Sequence, residues 1–162
     1  VATAALATFP GIERRFEHKG EALGVRVVDD YGHHPAEIRA TLAAARQVHE
    51  GRVVVVFQPH RYSRTQLLFE DFVTAFHQAD LLVLTEIYAA GEDKIPGVES
   101  ARLADAIRAH GQRDVRFVAD IDAVPAALVP DLAAGDLVIT LGAGNISALG
   151  PKLLQALGAT AE

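Results

Sequence analysis

The sequence predicts an α/β domain, a mixed and mostly parallel sheet of about six strands with helices on both faces. Three observations predict it. Five short, β-branched and almost continuously apolar runs read as strands covered on both sides. Helical patterns stand between them, which is the signature of strand–helix–strand units. A further run precedes the first by too few residues for a parallel crossover, so it pairs antiparallel.

Taken in order, residues 15–19 form that extra strand, turning through residues 20–24 into a strand over 25–28. Pro35 opens a helix, where its missing N–H costs nothing, and Ile38, Leu42 and Ala45 mark its buried face. After a strand over 53–57, Ser63 and Gln66 are spaced as a capping box for a helix whose inner face is Leu68, Phe69, Phe72, Val73 and Phe76. Residues 81–85 are the next strand, and Ser100 is expected to cap a helix containing Leu103 and Ile107 that ends at Gly111. Residues 115–118 follow as a strand, then a short helix capped by Asp122 and weakened or bent by Pro130. Residues 137–141 are the last strand, and Leu149, Leu153, Leu154 and Leu157 line the last helix, with Pro151 near its start.

Bulk properties narrow the function. At 162 residues the chain is one domain in size, burying roughly 70% of its unfolded surface. Its formal charge of −6 argues against a nucleic-acid surface. No apolar run approaches a membrane span and no signal peptide is visible. With no cysteine there are neither disulfides nor thiolate metal sites, in keeping with a cytoplasmic location. Methionine is absent even at position 1, so the chain is expected to be a domain of a longer protein.

Two loops carry the chemistry. DDYGHHP from Asp29 and QPHRYSRT from Gln58 each follow a strand and precede a helix. Together they hold two carboxylates, three imidazoles, two guanidiniums and two phenols. If the strands are parallel, these loops emerge at one edge of the sheet with residues 86–92 and the turn Gly142-Ala143-Gly144-Asn145. Arg61 and Arg64, three apart at the mouth of a helix, could clamp one carboxylate or phosphate, or simply pair with Glu70 or Asp71 at the surface. His33, His34 and His60 are of types that suit zinc or manganese, but adjacent histidines point apart and no i, i+4 pair exists. Hydrogen bonds to a ribose, phosphate or amine suit them better, and no protein metal site is expected. One of Asp29 and Asp30 should meet a donor or a ligand hydroxyl, the plainer alternative being a helix N-cap. The glycine turn resembles the start of a dinucleotide fingerprint, but Ser147 stands where a third glycine belongs. No P-loop occurs.

These motifs resemble the Mur ligases. Arg14-Arg15-Phe16-Glu17, DDYGHHP, FQPHRYSRT from Phe57, YAAGE from Tyr88 and LGAGNI from Leu141 match in order along essentially the whole chain, nearest to the alanine-adding members. The resemblance implies that residues 1–162 are a Rossmann-like third domain, preceded elsewhere by a UDP-sugar domain and a central ATP and Mg2+ domain. It implies a part in joining L-alanine to UDP-N-acetylmuramate through an acyl phosphate, in peptidoglycan precursor synthesis, with the isolated domain inactive. By resemblance, Arg15 and Asp30 serve the nucleotide side of the cleft. Tyr31, His33, His60, Arg61 and Arg64 serve the incoming amino acid and the muramoyl end. Either His33 or His60 could act as a base, unless positioning alone suffices. The murein-peptide recycling ligases share a similar His-His-Pro loop but usually lack the second motif. A dinucleotide-binding module or a protein-docking domain would leave the two long motifs unexplained.

Overall fold

A computed structural model describes residues 14–159. Six strands form one sheet: β1 Glu17–Ala22, β2 Val25–Asp30, β3 Val53–Phe57, β4 Leu81–Leu84, β5 Val115–Phe117 and β6 Leu137–Leu141. Their spatial order is β1-β2-β6-β3-β4-β5. β1 runs antiparallel to β2, and every other neighbouring pair is parallel. The mixed, mostly parallel sheet is therefore as the sequence predicts.

Side chains alternate across the strands, and that alternation builds two cores. Val53, Val55 and Phe57 face one side with Ile38, Leu42 and Ala45 of helix α1, Pro35–Val48. Leu103 and Ile107 of α4, Ser100–Ala109, join the same side. Val54 and Val56 face the other side, against Val124 and Leu128 of α5, Val124–Leu128, and Leu149, Leu153 and Leu157 of α6, Leu149–Ala159.

Several local expectations are corrected. β1 continues past Gly20 to Ala22, and the reversal is the two-residue turn Leu23-Gly24, both at positive φ (51° and 75°), the geometry that fits strand twist. The helix after β3 is two pieces, α2 Tyr62–Leu67 and α3 Phe69–Val73, broken at Leu68. Beyond the break, Phe72 and Phe76 reach the Phe57 ring at 5.6 and 5.1 Å between centroids. Ser63 does not cap α2: Arg61 is the N-cap residue, and the Ser63 N–H and hydroxyl go instead to the Glu92 carboxylate. Ser100 is the first residue of α4 rather than its cap. Asp120, not Asp122, accepts the N–H that opens the 3-10 turn Ile121–Ala123 before α5. Pro130 sits in a second 3-10 turn, Val129–Asp131, so it ends α5 rather than bending it.

The register levels the strand ends. Asp30 of β2 and Phe57 of β3 both pair with Leu141 of β6, and Phe57 also pairs with Leu84 of β4. The loops after these four strands thus leave from one line.

Candidate functional site at the carboxyl edge of the sheet

The loops after β2, β3, β4 and β6 are tied together by backbone hydrogen bonds and by the Gln58 side chain. Tyr88 N–H donates to the Pro59 carbonyl at 2.8 Å and Arg61 N–H to the Tyr88 carbonyl at 2.8 Å. Gln58 stitches its loop to the glycine turn, its Nε2 donating to Asn145 Oδ1 at 2.7 Å and its Oε1 accepting from Ile146 N–H at 3.2 Å. Gly142 N–H donates to the Asp30 carbonyl at 3.1 Å.

The aromatic and imidazole rings lie in a row along this edge. Tyr31 meets His33 edge-on at 5.2 Å, His33 lies 5.9 Å from His60, and His60 stacks on Tyr88 at 5.6 Å with 16° between planes. The first and second loops therefore converge, as expected from parallel strands. Arg64 reaches back from α2, its Nη1 donating to His60 Nδ1 at 3.1 Å and to the His60 carbonyl at 3.3 Å. Arg61, at φ 72°, is outside the helix and exposed. Neither arginine forms an ion pair with Glu70 or Asp71.

The two aspartates at the end of β2 have internal partners. Asp29, fully buried, takes Arg14 Nε at 2.9 Å and the Thr140 hydroxyl at 2.6 Å. Asp30 accepts Phe16 N–H and Gly32 N–H, one on each oxygen, both at 2.8 Å. Asp30 thereby ties the Gly32 backbone just after Tyr31 to the Phe16 backbone just before β1, and neither aspartate is the N-cap of α1. That place belongs to His34, whose Nδ1 accepts from Ala36 N–H at 3.2 Å. His34 thus faces its own helix while His33 faces His60, the divergence expected of neighbouring histidines. Arg15 is half exposed, its guanidinium 5.9 Å from the centre of the Tyr31 ring and 3.8 Å from Glu37.

Glu37 is a residue of this edge that the motif reading does not single out, and Tyr88, which opens the YAAGE motif, is given no role there. Glu37 Oε2 accepts from the N–H groups of His33 and His34 at 3.0 and 3.1 Å. Burial works to raise its carboxyl pKa, but those two N–H groups and the nearby charges of His33 and Arg15 outweigh it and hold the carboxyl below its ordinary range. Its place three residues after His34 is the sequence signal of a capping box with an unusual first member. His60 is held below the ordinary imidazole range first by burial, then by the charges of Arg64, His33 and Arg61, with Glu92 opposing. At neutral pH it is a neutral ring.

The glycine turn is not an open phosphate cradle. A Cβ on Gly144 would come within 2.5 Å of Gln58 Oε1 and 2.7 Å of Tyr88 Cγ. The turn leads into a 3-10 segment, Asn145–Ala148, rather than directly into an α-helix. Its glycine serves close packing of three loops.

A six-stranded α/β domain with cations, imidazoles and phenols gathered at the carboxyl ends of its parallel strands has the arrangement in which open α/β sheets place their ligand sites. The model of the Mur ligase, glutamate ligase domain, family matches residues 14–144, and the chain belongs to that family. It is 57% identical over 155 residues to the UDP-N-acetylmuramate–L-alanine ligase of Myxococcus xanthus, covering 96% of this chain and 33% of that protein. Its identity to the ligase of the same name from Geobacter sulfurreducens is 60% over 152 residues, 93% of this chain and 33% of that one. The chain thus spans about a third of the length of the curated relatives it matches. Among solved structures, the UDP-N-acetylmuramate-alanine ligase MurC of Thermotoga maritima superposes with a TM-score of 0.79 at 28% identity, over 97% of this chain and 33% of that one. A murein peptide ligase of Psychrobacter arcticus shares the fold, with a TM-score of 0.76 at 24% identity over 97% of this chain.

Proposed function

We propose that this chain is the C-terminal, amino-acid-binding domain of an ATP-dependent UDP-N-acetylmuramate–L-alanine ligase acting in peptidoglycan precursor synthesis in the cytoplasm. The observation that supports it most is the identity of 57% and 60% to ligases of that name, along nearly all of this chain and a third of theirs. In this reading, domains outside the chain hold the UDP-sugar, and a central domain holds most of ATP and Mg2+. ATP supplies the phosphoryl group that turns the muramoyl carboxylate into an acyl phosphate.

The geometry supports a division of the edge. Arg61 and Arg64 would receive the carboxylate of L-alanine, since guanidiniums give directional, charge-assisted hydrogen bonds. Tyr31, His33 and His60 line the path between that carboxylate and the muramoyl end, where closeness and orientation supply much of the acceleration. On the nucleotide side, Arg15 fits a phosphate or ribose edge because its guanidinium is half exposed and lies 3.8 Å from its nearest carboxylate. Asp30 is 5% exposed with one backbone N–H on each oxygen, so its part there is to hold the Tyr31 loop in place.

The test is a full-length ligase carrying this domain behind the upstream domains of a close relative, assayed for alanine-dependent ADP release with UDP-N-acetylmuramate. Arg61→Ala and Arg64→Ala should each raise the alanine KM about tenfold, the value of one contact of about 1.4 kcal/mol. Unchanged alanine kinetics in both variants would remove the clamp. Turnover with a murein tripeptide but not with alanine would move the assignment to the recycling reaction.

A further inference from the structure

The two histidines that face each other across the edge have opposite tautomers, and their partners dictate which. His60 Nδ1 lies 3.1 Å from Arg64 Nη1. A guanidinium nitrogen offers a proton and no lone pair, so Nδ1 must accept and the single proton of the neutral ring sits on Nε2. His33 Nδ1 lies 3.0 Å from the Tyr31 carbonyl oxygen. A carbonyl only accepts, so in the neutral form of this ring Nδ1 carries the proton and Nε2 holds the lone pair. Neither Nε2 has a hydrogen-bond partner among the described residues. One imidazole therefore offers a base to the edge and the other a donor.

A carboxylate stands behind the base. Glu37 Oε2 is 3.6 Å from His33 Nδ1, and it is fixed there by the N–H groups of His33 and His34. A carboxylate on the far side of an imidazole holds its tautomer and favours the imidazolium that forms when Nε2 takes a proton. His60 has the reverse surroundings, with the Arg64 guanidinium behind its Nδ1.

We propose that His33 Nε2 accepts the proton of the incoming amino acid's ammonium group, with Glu37 as its positioning residue, while His60 Nε2–H donates to an anionic oxygen of the substrates. This rests on the reading of the edge as the amino-acid site. The ammonium gives one proton to His33 Nε2, and the freed nitrogen lone pair forms the C–N bond at the acyl-phosphate carbonyl. The C–O bond to phosphorus-bearing oxygen then breaks with its electron pair. The departing phosphate takes the second amine proton and leaves as hydrogen phosphate. His33 later returns its proton to solvent.

The test uses the full-length ligase and two competing nucleophiles. Alanine is an ammonium ion at neutral pH, whereas hydroxylamine is already neutral and needs no base. In His33→Asn the ratio of alanine product to hydroxamate should fall about 100-fold at neutral pH, the lower end of general-base effects. The loss should shrink as pH rises and alanine deprotonates unaided. Glu37→Gln keeps an oxygen for the two backbone N–H groups but removes the charge, so it should also lower the ratio of alanine product to hydroxamate, by less than His33→Asn does. His60→Asn should lower both products together. Equal loss of both products in His33→Asn or in Glu37→Gln, or a selective loss in His60→Asn instead, would overturn the assignment. A wild-type enzyme that makes hydroxamate but no alanine amide would instead overturn the underlying reading of the substrate.

Discussion

Arg14 closes onto Asp29 at the start of the edge: its Nε donates to Asp29 Oδ2 at 2.9 Å, and its Nη2 donates to the Gly142 carbonyl at 2.5 Å. The carboxylate has no exposure and the guanidinium side chain 22%. One cation therefore joins the end of β2 to the glycine turn after β6, and it lies 5.0 Å from the centre of the Tyr31 ring as well.

Arg14→Ala should destabilise this chain by about 2–3 kcal/mol. Removing one partner of a buried pair strands the other charge, which costs about 3–5 kcal/mol when no water can reach it, and the partial exposure here brings the figure down. The Thr140 hydroxyl on Asp29 Oδ1 remains as a second source of relief. By contrast, Asp105→Ala, which removes the exposed pair with Arg108, should cost less than about 0.5 kcal/mol. Urea unfolding of the three proteins checks both values. Equal midpoints for Arg14→Ala and Asp105→Ala would mean that the Asp29 carboxylate is not dependent on Arg14.

Gly144→Ala separates the two readings of the glycine turn. If the glycine serves packing, an added methyl meets the root of the Tyr88 ring and Gln58 Oε1, the end of a side chain held in place by its bonds to Asn145 and Ile146. Overpacking of this kind costs about 1–3 kcal/mol. The strain should show first as displacement of Tyr88 from its stack on His60, seen as a change in the His60 ring-proton shifts. A dinucleotide site would predict the loss of NADH binding instead. Micromolar NADH binding by the wild-type chain, abolished in the variant, would return the turn to that role.

Those contacts also show what could be read from residue order and what could not. β3 and β6 are legible to the residue because apolar, β-branched runs bounded by polar loops mark them, and the shared direction of β2 and β3 on either side of β6 brings His33 and His60 together. The helix starts are less legible. A cap is a hydrogen bond between atoms, and several side chains near each start are equally able to make it. Ser63 has a better partner in Glu92, far away in sequence, than in its own helix. His34 takes the N-cap for which the aspartates compete in sequence, because Asp29 and Asp30 are already committed to Arg14 and to the Phe16 and Gly32 backbone. Tyr88 reads as supporting sequence because its importance lies in a bridge to His60 that no local pattern encodes.

His60 gives the pH dependence of the edge. Burial, then the charges of Arg64, His33 and Arg61, lower its pKa from an ordinary value near 6.5. Because the folded pKa lies below the unfolded one, the unfolded chain binds the proton more readily between the two. Stability is therefore untouched above the unfolded value and declines as pH falls from there toward the folded value, below which the penalty is complete. The His60 resonances of this chain, followed by long-range 1H–15N correlation, should titrate with a midpoint below 6.5 and show an unprotonated Nδ1 at neutral pH. Arg64→Leu should move that midpoint up without restoring it fully, since burial, the larger cause, remains. The same variant frees Nδ1, so both tautomers should appear in the nitrogen shifts. A midpoint at or above 6.5 in the wild-type chain would put a proton on Nδ1 facing a guanidinium 3.1 Å away. The two groups would then repel, and Arg64 would have to turn away from the ring it now holds.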